Sequence, residues 1–125
     1  VAAGGGGIPV IIEGGEVRGI EAVIDKDRAS ALLASKLGIE HFIISTEVPE
    51  VYINYRKSNQ QKLRRITMVE AEKHFADRQF SEGSMKPKIE AALDFLKNGG
   101  TMVTITDPEH LIAALDGEAG TRITK

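Results

Sequence analysis

The chain contains no cysteine in its 125 residues. That excludes disulfides and thiolate-held metals, and it leaves the redox compartment undecided. No apolar run approaches the ~20 residues a membrane span needs, and no signal peptide is legible. Charge of neither sign dominates. Sixteen Lys and Arg face eighteen Asp and Glu, a formal net charge of -2. Electrostatics therefore gives no reason to expect nucleic acid or an anionic membrane as a partner. The cytoplasm is the default expectation for such a chain. What remains is ordinary for a globular domain: 42% hydrophobic and 27% charged residues, in a length that suits one domain with a modest core.

The chain opens on Val1-Ala2-Ala3-Gly4 without a methionine. Residues 1–3 read as the end of a buried strand, which is the pattern expected of a piece whose upstream part lies elsewhere. Ile8 to Ile12 and Val17 to Ile24 read as extended stretches around a hairpin turn at Glu13-Gly14-Gly15-Glu16. A helix is expected from the Asp25–Asp27 region to Gly38, with Ala29, Leu32, Leu33 and Leu37 on its apolar face. Residues 41–46, HFIIST, read as a buried strand. Residues 51–55 read as another, followed by a polar loop over 56–62. Thr67-x-x-Glu70 is a capping box for a helix over 68–77. Ile89, Ala92, Leu93 and Leu96 carry helical spacing that stops at Gly99-Gly100. TMVTI is a strand, and Asp107-Pro108 looks like an N-cap with proline at the first helical position. Leu111, Ile112 and Leu115 are expected to pack that last helix, before a short closing strand in GTRIT. Strands alternating with helices predict an α/β sheet with helices on its faces.

Three features point to chemistry. The run Gly4-Gly5-Gly6-Gly7 reads equally as an anion-cradling loop or as a linker. It matches neither G-x-x-x-x-G-K-[ST] nor the G-x-G-x-x-G context, because a hairpin follows it. Asp25-Lys26-Asp27 opens one helix, and either aspartate serves as its cap. Lys86 and Lys88 sit at the opening of another. Free N–H groups make a helix start partly positive, so a cation there typically costs roughly 0.3–1 kcal/mol. Lysines at two such positions in one small domain predict a shared polyanion, of which a triphosphate is the simplest.

Other constellations are weak. His41, His74 and His110 lack metal-ligand spacing and are expected at the surface. No nucleophile elbow G-x-S-x-G is present. Arg56, Lys57, Lys62, Arg64 and Arg65 cluster near Tyr52 and Tyr55, a pattern that suits a solvated loop better than a nucleic-acid surface.

AAGGGGIPV, EAVIDKDRASALLASKLG, GSMKPKIEAAL and the closing GTRI, in this order and spacing, resemble carbamate kinase within the amino-acid kinase superfamily. The resemblance runs along essentially the whole chain but covers only the downstream part of such an enzyme. It implies a three-layer α/β/α sandwich with a largely parallel sheet, truncated on its N-terminal side. Residues 1–125 would form a single ATP-binding domain, with 1–24 a glycine-rich loop and hairpin bordering the acceptor site. The implied reaction is ATP plus carbamate to ADP plus carbamoyl phosphate, with Mg²⁺, in a cytoplasmic homodimer, run towards ATP in arginine catabolism.

By the same resemblance, Lys26, Asp27 and Lys88 would be catalytic, the two lysines on the nucleotide phosphates and Asp27 orienting them. Thr46, Val48, Tyr52, Ser84 and Met85 would surround the nucleotide. Gly4, Gly5, Gly6 and Gly7 would border the acceptor. The family often reads T-D-V-D-G-V-Y where this chain has Thr46 to Tyr52, so Glu50 replaces a glycine that supports a left-handed turn. Glycine is also common in the family where Lys86 stands. The alternative readings are a nucleotide-binding or regulatory module without turnover, a kinase for another carboxylate such as acetylglutamate, and a structural half that folds only with its complement.

Overall fold

A computed structural model describes residues 3–4 and 6–125. Strands β1 (Val10–Glu13) and β2 (Glu16–Gly19) form the expected hairpin. Gly14 and Gly15 hold φ of 60° and 86° at its turn, a conformation that other residues rarely adopt. Helix α1 (Lys26–Lys36) follows, then β3 (His41–Ser45). Strands β4 (Val51–Ile53) and β5 (Gln61–Leu63) make a second antiparallel hairpin. Next come β6 (Arg65–Thr67), α2 (Met68–Ala76), α3 (Met85–Lys97), β7 (Met102–Thr106), α4 (Leu111–Asp116) and β8 (Thr121–Thr124).

The central sheet runs β3-β7-β8-β6. β3 pairs with β7 and β6 with β8 in parallel, and only β7 with β8 is antiparallel. Side chains alternate across a strand, and the register divides the sheet into two faces. Phe42, Ile44, Val103, Ile105, Ile123 and Ile66 share the face that meets α1, α2 and α3. Ile89, Ala92, Leu93 and Leu96 of α3 are all buried there as their spacing predicts, and the Phe42 and Phe95 rings lie 5.3 Å apart. Thr104 and Arg122 lie on the other face. Arg122 Nη2 donates to the Ala114 and Leu115 carbonyls at the end of α4, so the guanidinium satisfies two C-terminal acceptors of that helix. The outcome is the α/β/α sandwich, with α4 on one side of a mostly parallel sheet and α1 to α3 on the other. No helix among the described residues is long and apolar enough to cross a membrane.

Several local expectations differ from the structure. In α1 it is Ala31 and Ala34 that are buried, whereas Leu32 and Leu37 are 61% and 66% exposed. The helix turns its smallest apolar residues to α3, because two helices approach closely only over small side chains. In α4 the buried residue is Ala114, and Ile112 and Leu115 are exposed. Asp107 caps a turn instead of a helix. Its Oδ1 accepts the His110 N–H at 2.9 Å, and the helix starts only at Leu111. The polar stretch 56–62 enters a strand at Gln61, and β6 is a further strand without an apolar signal of its own. The extended stretch expected from Val17 ends at Gly19, and Ile20 to Ile24 run as an exposed segment. His41 is half-buried, with Nε2 2.8 Å from Thr104 Oγ1. Of the buried strand end expected at residues 1–3, Ala3 is exposed, outside any strand and at φ 59°, and Val1 and Ala2 lie outside the described residues.

Two expected outcomes follow from this interior. A Cβ on Gly100 would stand 2.1 Å from the buried Phe95 ring. Gly100→Ala is therefore expected to cost about 1–3 kcal/mol, as an overpacked core does, read from urea unfolding. Burial, and secondly the Arg122 charge, hold the His41 imidazole below its usual range. The unfolded chain then binds the proton more readily, so this contribution is complete above the ordinary histidine value near 6.5 and is lost as pH falls below it. His41→Gln is expected to flatten the decline of Tm with acidification through that window, measured by a pH series of melts.

Candidate functional site

The site is assembled where three element ends meet: the carboxyl end of β3 and the openings of α1 and α3. Crevices outside the carboxyl ends of strands are where open α/β sheets bind ligands. Asp25 caps α1, its Oδ1 accepting the Arg28 N–H at 2.9 Å. This places Lys26 and Asp27 in the first turn. Asp27 is held by Lys88 of α3, with Nζ to Oδ2 at 2.8 Å and side-chain exposures of 11% and 12%. The opening of α3 has no side-chain cap. The Ser84 hydroxyl instead pairs with Ser81 Oγ at 2.6 Å. Pro87 contributes no N–H, and the Lys86 N–H goes to the Ser81 carbonyl.

These ends enclose a cavity of about 340 Å³ whose wall includes Lys26, Asp27, Lys88, Thr46 and Ser84. A second cavity of about 200 Å³ adjoins it, with Thr46, Glu47 and Ser84 common to both. Its wall carries the aromatic and apolar side chains of Val48, Tyr52, Tyr55, Phe80 and Met85 beside polar ones that include Arg56 and Gln79. A chamber whose wall carries two lysines and the carboxylates Asp25, Asp27 and Glu47 thus adjoins an aromatic one. A larger groove of about 610 Å³ lies between α1 and residues 94–98; its wall includes Val23, Ile24, Leu32 and Phe95, and its one cation, Arg28, shares that wall with Asp25 and Asp94.

The β4–β5 hairpin supplies the aromatic wall, and a buried hydroxyl pins it to the sheet. Thr121 Oγ1 of β8 accepts the Val51 N–H at 2.8 Å and donates to the Leu63 carbonyl, so one side chain ties both hairpin strands. Tyr52 donates to Glu50 Oε2 at 3.2 Å. Burial, then the Glu50 carboxylate, pushes the phenol above its ordinary value and keeps it protonated. Glu50 itself is not among the residues with positive φ. Its carboxylate also faces Lys62 and Arg64 at 3.7 and 3.8 Å. The left-handed positions of this hairpin are Asn54 and Arg56 instead.

Every residue expected around the nucleotide lines one cavity or both: Lys26, Lys88, Thr46, Val48, Tyr52, Ser84 and Met85. Lys86 belongs to neither. It pairs with Glu82 at 2.6 Å and lies over the Phe75 ring, so its anomalous position answers to a local carboxylate. Gly4, Gly6 and Gly7 are exposed and line neither cavity, and Gly5 lies outside the described residues. Tyr55, Arg56, Gln79 and Phe80 line the aromatic cavity without having been expected there. The signal for Tyr55 was the pair of tyrosines three residues apart; Gln79 and Phe80 carried none, because only the fold brings residues 79–81 to the hairpin.

The amino acid kinase family profile matches residues 2–107. The chain belongs to the amino acid kinase family. Its relatives in that family include a carbamate kinase from Thermoplasma volcanium, 54% identical over 98% of this chain and 40% of the relative. Another, from Staphylococcus haemolyticus, is 55% identical over 100% of this chain and 41% of the relative. The chain thus spans about 40% of the length of these curated relatives. Among solved structures, carbamate kinase from Giardia lamblia bound to AMP-PNP superposes with a TM-score of 0.91 at 42% identity, over 96% of this chain and 42% of that one.

The Asp27–Lys88 pair gives a test of how this family site is held together. Removing one partner of a buried pair leaves the other charge uncompensated, typically at about 3–5 kcal/mol. Asp27→Asn is expected to destabilise the fold by about that amount. The double variant Asp27→Leu with Lys88→Met is expected to recover most of the loss, as read from denaturant midpoints.

Proposed function

We propose that the protein carrying this chain transfers a phosphoryl group between ATP and carbamate, giving ADP and carbamoyl phosphate, and that this chain is its nucleotide-binding part. One observation carries the reading: Lys26 and Lys88, 62 positions apart in sequence, share the wall of one cavity that adjoins an aromatic cavity of the neighbouring hairpin. Phosphates suit the first chamber and a nucleoside suits the second. The kinship with carbamate kinases, one of them solved with AMP-PNP, supports both the nucleotide and the acceptor.

The residues supply positioning and charge, which is what phosphoryl transfer requires. Lys88 is oriented by Asp27 and cannot swing away without leaving a buried carboxylate bare. Lys26 is exposed at the opening of α1 and lines the same cavity. Together they would hold the phosphate oxygens and offset the charge that develops on the leaving ADP. Carbamate attacks through an oxygen that already bears charge. No general base is needed, and no histidine lines either cavity.

Among the described residues no group of three or more metal-ligating side chains occurs. Mg²⁺ fits this site as an ion carried by the phosphates with one or two protein carboxylates. Asp27 and Glu47 stand on the cavity wall to serve it. When bound, Mg²⁺ would screen the charge of the β- and γ-phosphates. The glycine run is assigned to the acceptor side. The whole protein is proposed to act as a cytoplasmic homodimer, in the ATP-forming direction during arginine catabolism.

A coupled assay of ADP release by the whole protein, offering carbamate and acetylglutamate in turn, tests the assignment. Turnover with carbamate is expected. Lys26→Ala, whose site is exposed and leaves the fold intact, is expected to lower kcat by about 10²–10³, as loss of one preorganised donor does. Absence of turnover with carbamate in a folded protein that binds ATP would overturn the acceptor and leave a binding module.

A further inference from the structure

The aromatic cavity has one cation on its wall, Arg56, and its backbone is unusual. Arg56 stands at φ 61°, in the left-handed region that a long side chain rarely occupies. Asn54 shares that region at φ 52°, but asparagine is at home there. The tip of the hairpin is nevertheless well held. Arg56 N–H donates to Gln60 Oε1 at 2.7 Å, Lys57 N–H to the Asn54 carbonyl at 3.0 Å, and Asn54 N–H to Gln79 Oε1 at 3.1 Å. The last of these ties the tip to a residue that lines the cavity itself.

The guanidinium carbon of Arg56 lies 5.4 Å from the centre of the Tyr55 ring, and the Tyr55 and Tyr52 rings are 6.0 Å apart. No carboxylate among the described residues pairs with Arg56, although Glu50 takes both Lys62 and Arg64 of the same hairpin. A planar cation is therefore presented beside a tyrosine ring, with no carboxylate partner among the described residues, on a cavity wall that carries Tyr52, Phe80, Val48 and Met85 as well as Glu47. Nothing in the folding of the hairpin requires that side chain, because glycine or asparagine would fill the same backbone position without strain.

We propose that Arg56 recognises the nucleoside: its guanidinium covers the outer face of a bound purine, completing the aromatic cavity from the solvent side. The chemistry is the attraction of a flat, weakly hydrated cation to a π face. The inference rests on the nucleotide reading above. It concerns the base alone, because the phosphates belong to the chamber of Lys26 and Lys88.

Titration calorimetry of the whole protein with Mg-ATP, Mg-ADP and inorganic tripolyphosphate tests it, using Arg56→Gly and Arg56→Asn. Both variants are expected to bind ATP and ADP roughly threefold to thirtyfold more weakly. Tripolyphosphate affinity should stay within about twofold, and Tm should not fall, since both residues accept the left-handed backbone. ATP affinity unchanged in both variants would overturn the proposal. So would an equal loss for ATP and tripolyphosphate, which would mark a phosphate contact or a purely structural role. A folded parent protein that binds neither ATP nor ADP would overturn the nucleotide reading itself, and this inference with it.

Discussion

The salt bridge between Asp27 and Lys88 is the constraint on which the site depends. It joins the first turn of α1 to the opening of α3, two segments 61 residues apart in sequence. Both side chains are nearly enclosed. Each charge makes the burial of the other tolerable, so sliding one helix along its neighbour would leave a nearly enclosed ion without its partner. The contact of α1 with α3 over Ala31 and Ala34 sets the distance between the helices. The ion pair sets their register. A cavity then forms between two helix openings, and one lysine of its wall is held in a fixed orientation.

The second chamber depends on a different kind of tether. The β4–β5 hairpin is separate from the central sheet, and a free two-stranded hairpin is at best marginally stable in water. Thr121 stabilises it through one buried hydroxyl that serves both strands. Val51, fully buried, adds the apolar contact. The aromatic wall is therefore carried by the sheet, and it keeps its place beside Ser84 and Met85. Sheet, helix openings and hairpin act as one frame, with the charged and the aromatic chambers on the same edge of it.

The parts of this frame that were legible in the sequence are those in which local chemistry and tertiary position agree. The capping box of Thr67 and Glu70 forms as its spacing requires, each side chain bonded to the other's backbone. The stripe of α3 is buried because the helix crosses the middle of the sheet, where every apolar position meets a neighbour. The leucines of α1 misled because apolarity alone does not say which face is covered; two alanines won the interface by allowing close approach. β5 and β6 were invisible, since their residues are mostly polar and exposed and their order comes from pairing with β4 and β8. Asp107 carried a genuine capping signal, but three residues of turn satisfied it before any helix began.

The sequence by itself determined the periodicity, the caps, the like-charged lysines at helix openings and the kinship with carbamate kinases. Each is a property of neighbours along the chain or of a pattern in fixed order. Only the tertiary structure decided which lysine faces the cavity. Lys86 and Lys88 are two residues apart and therefore point to different sides of one helix; one met Glu82 and solvent, the other met Asp27. The tertiary structure also brought residues 79–81 and Arg56 to the aromatic chamber. Contacts across such separations depend on how layers stack, and no local spacing encodes that.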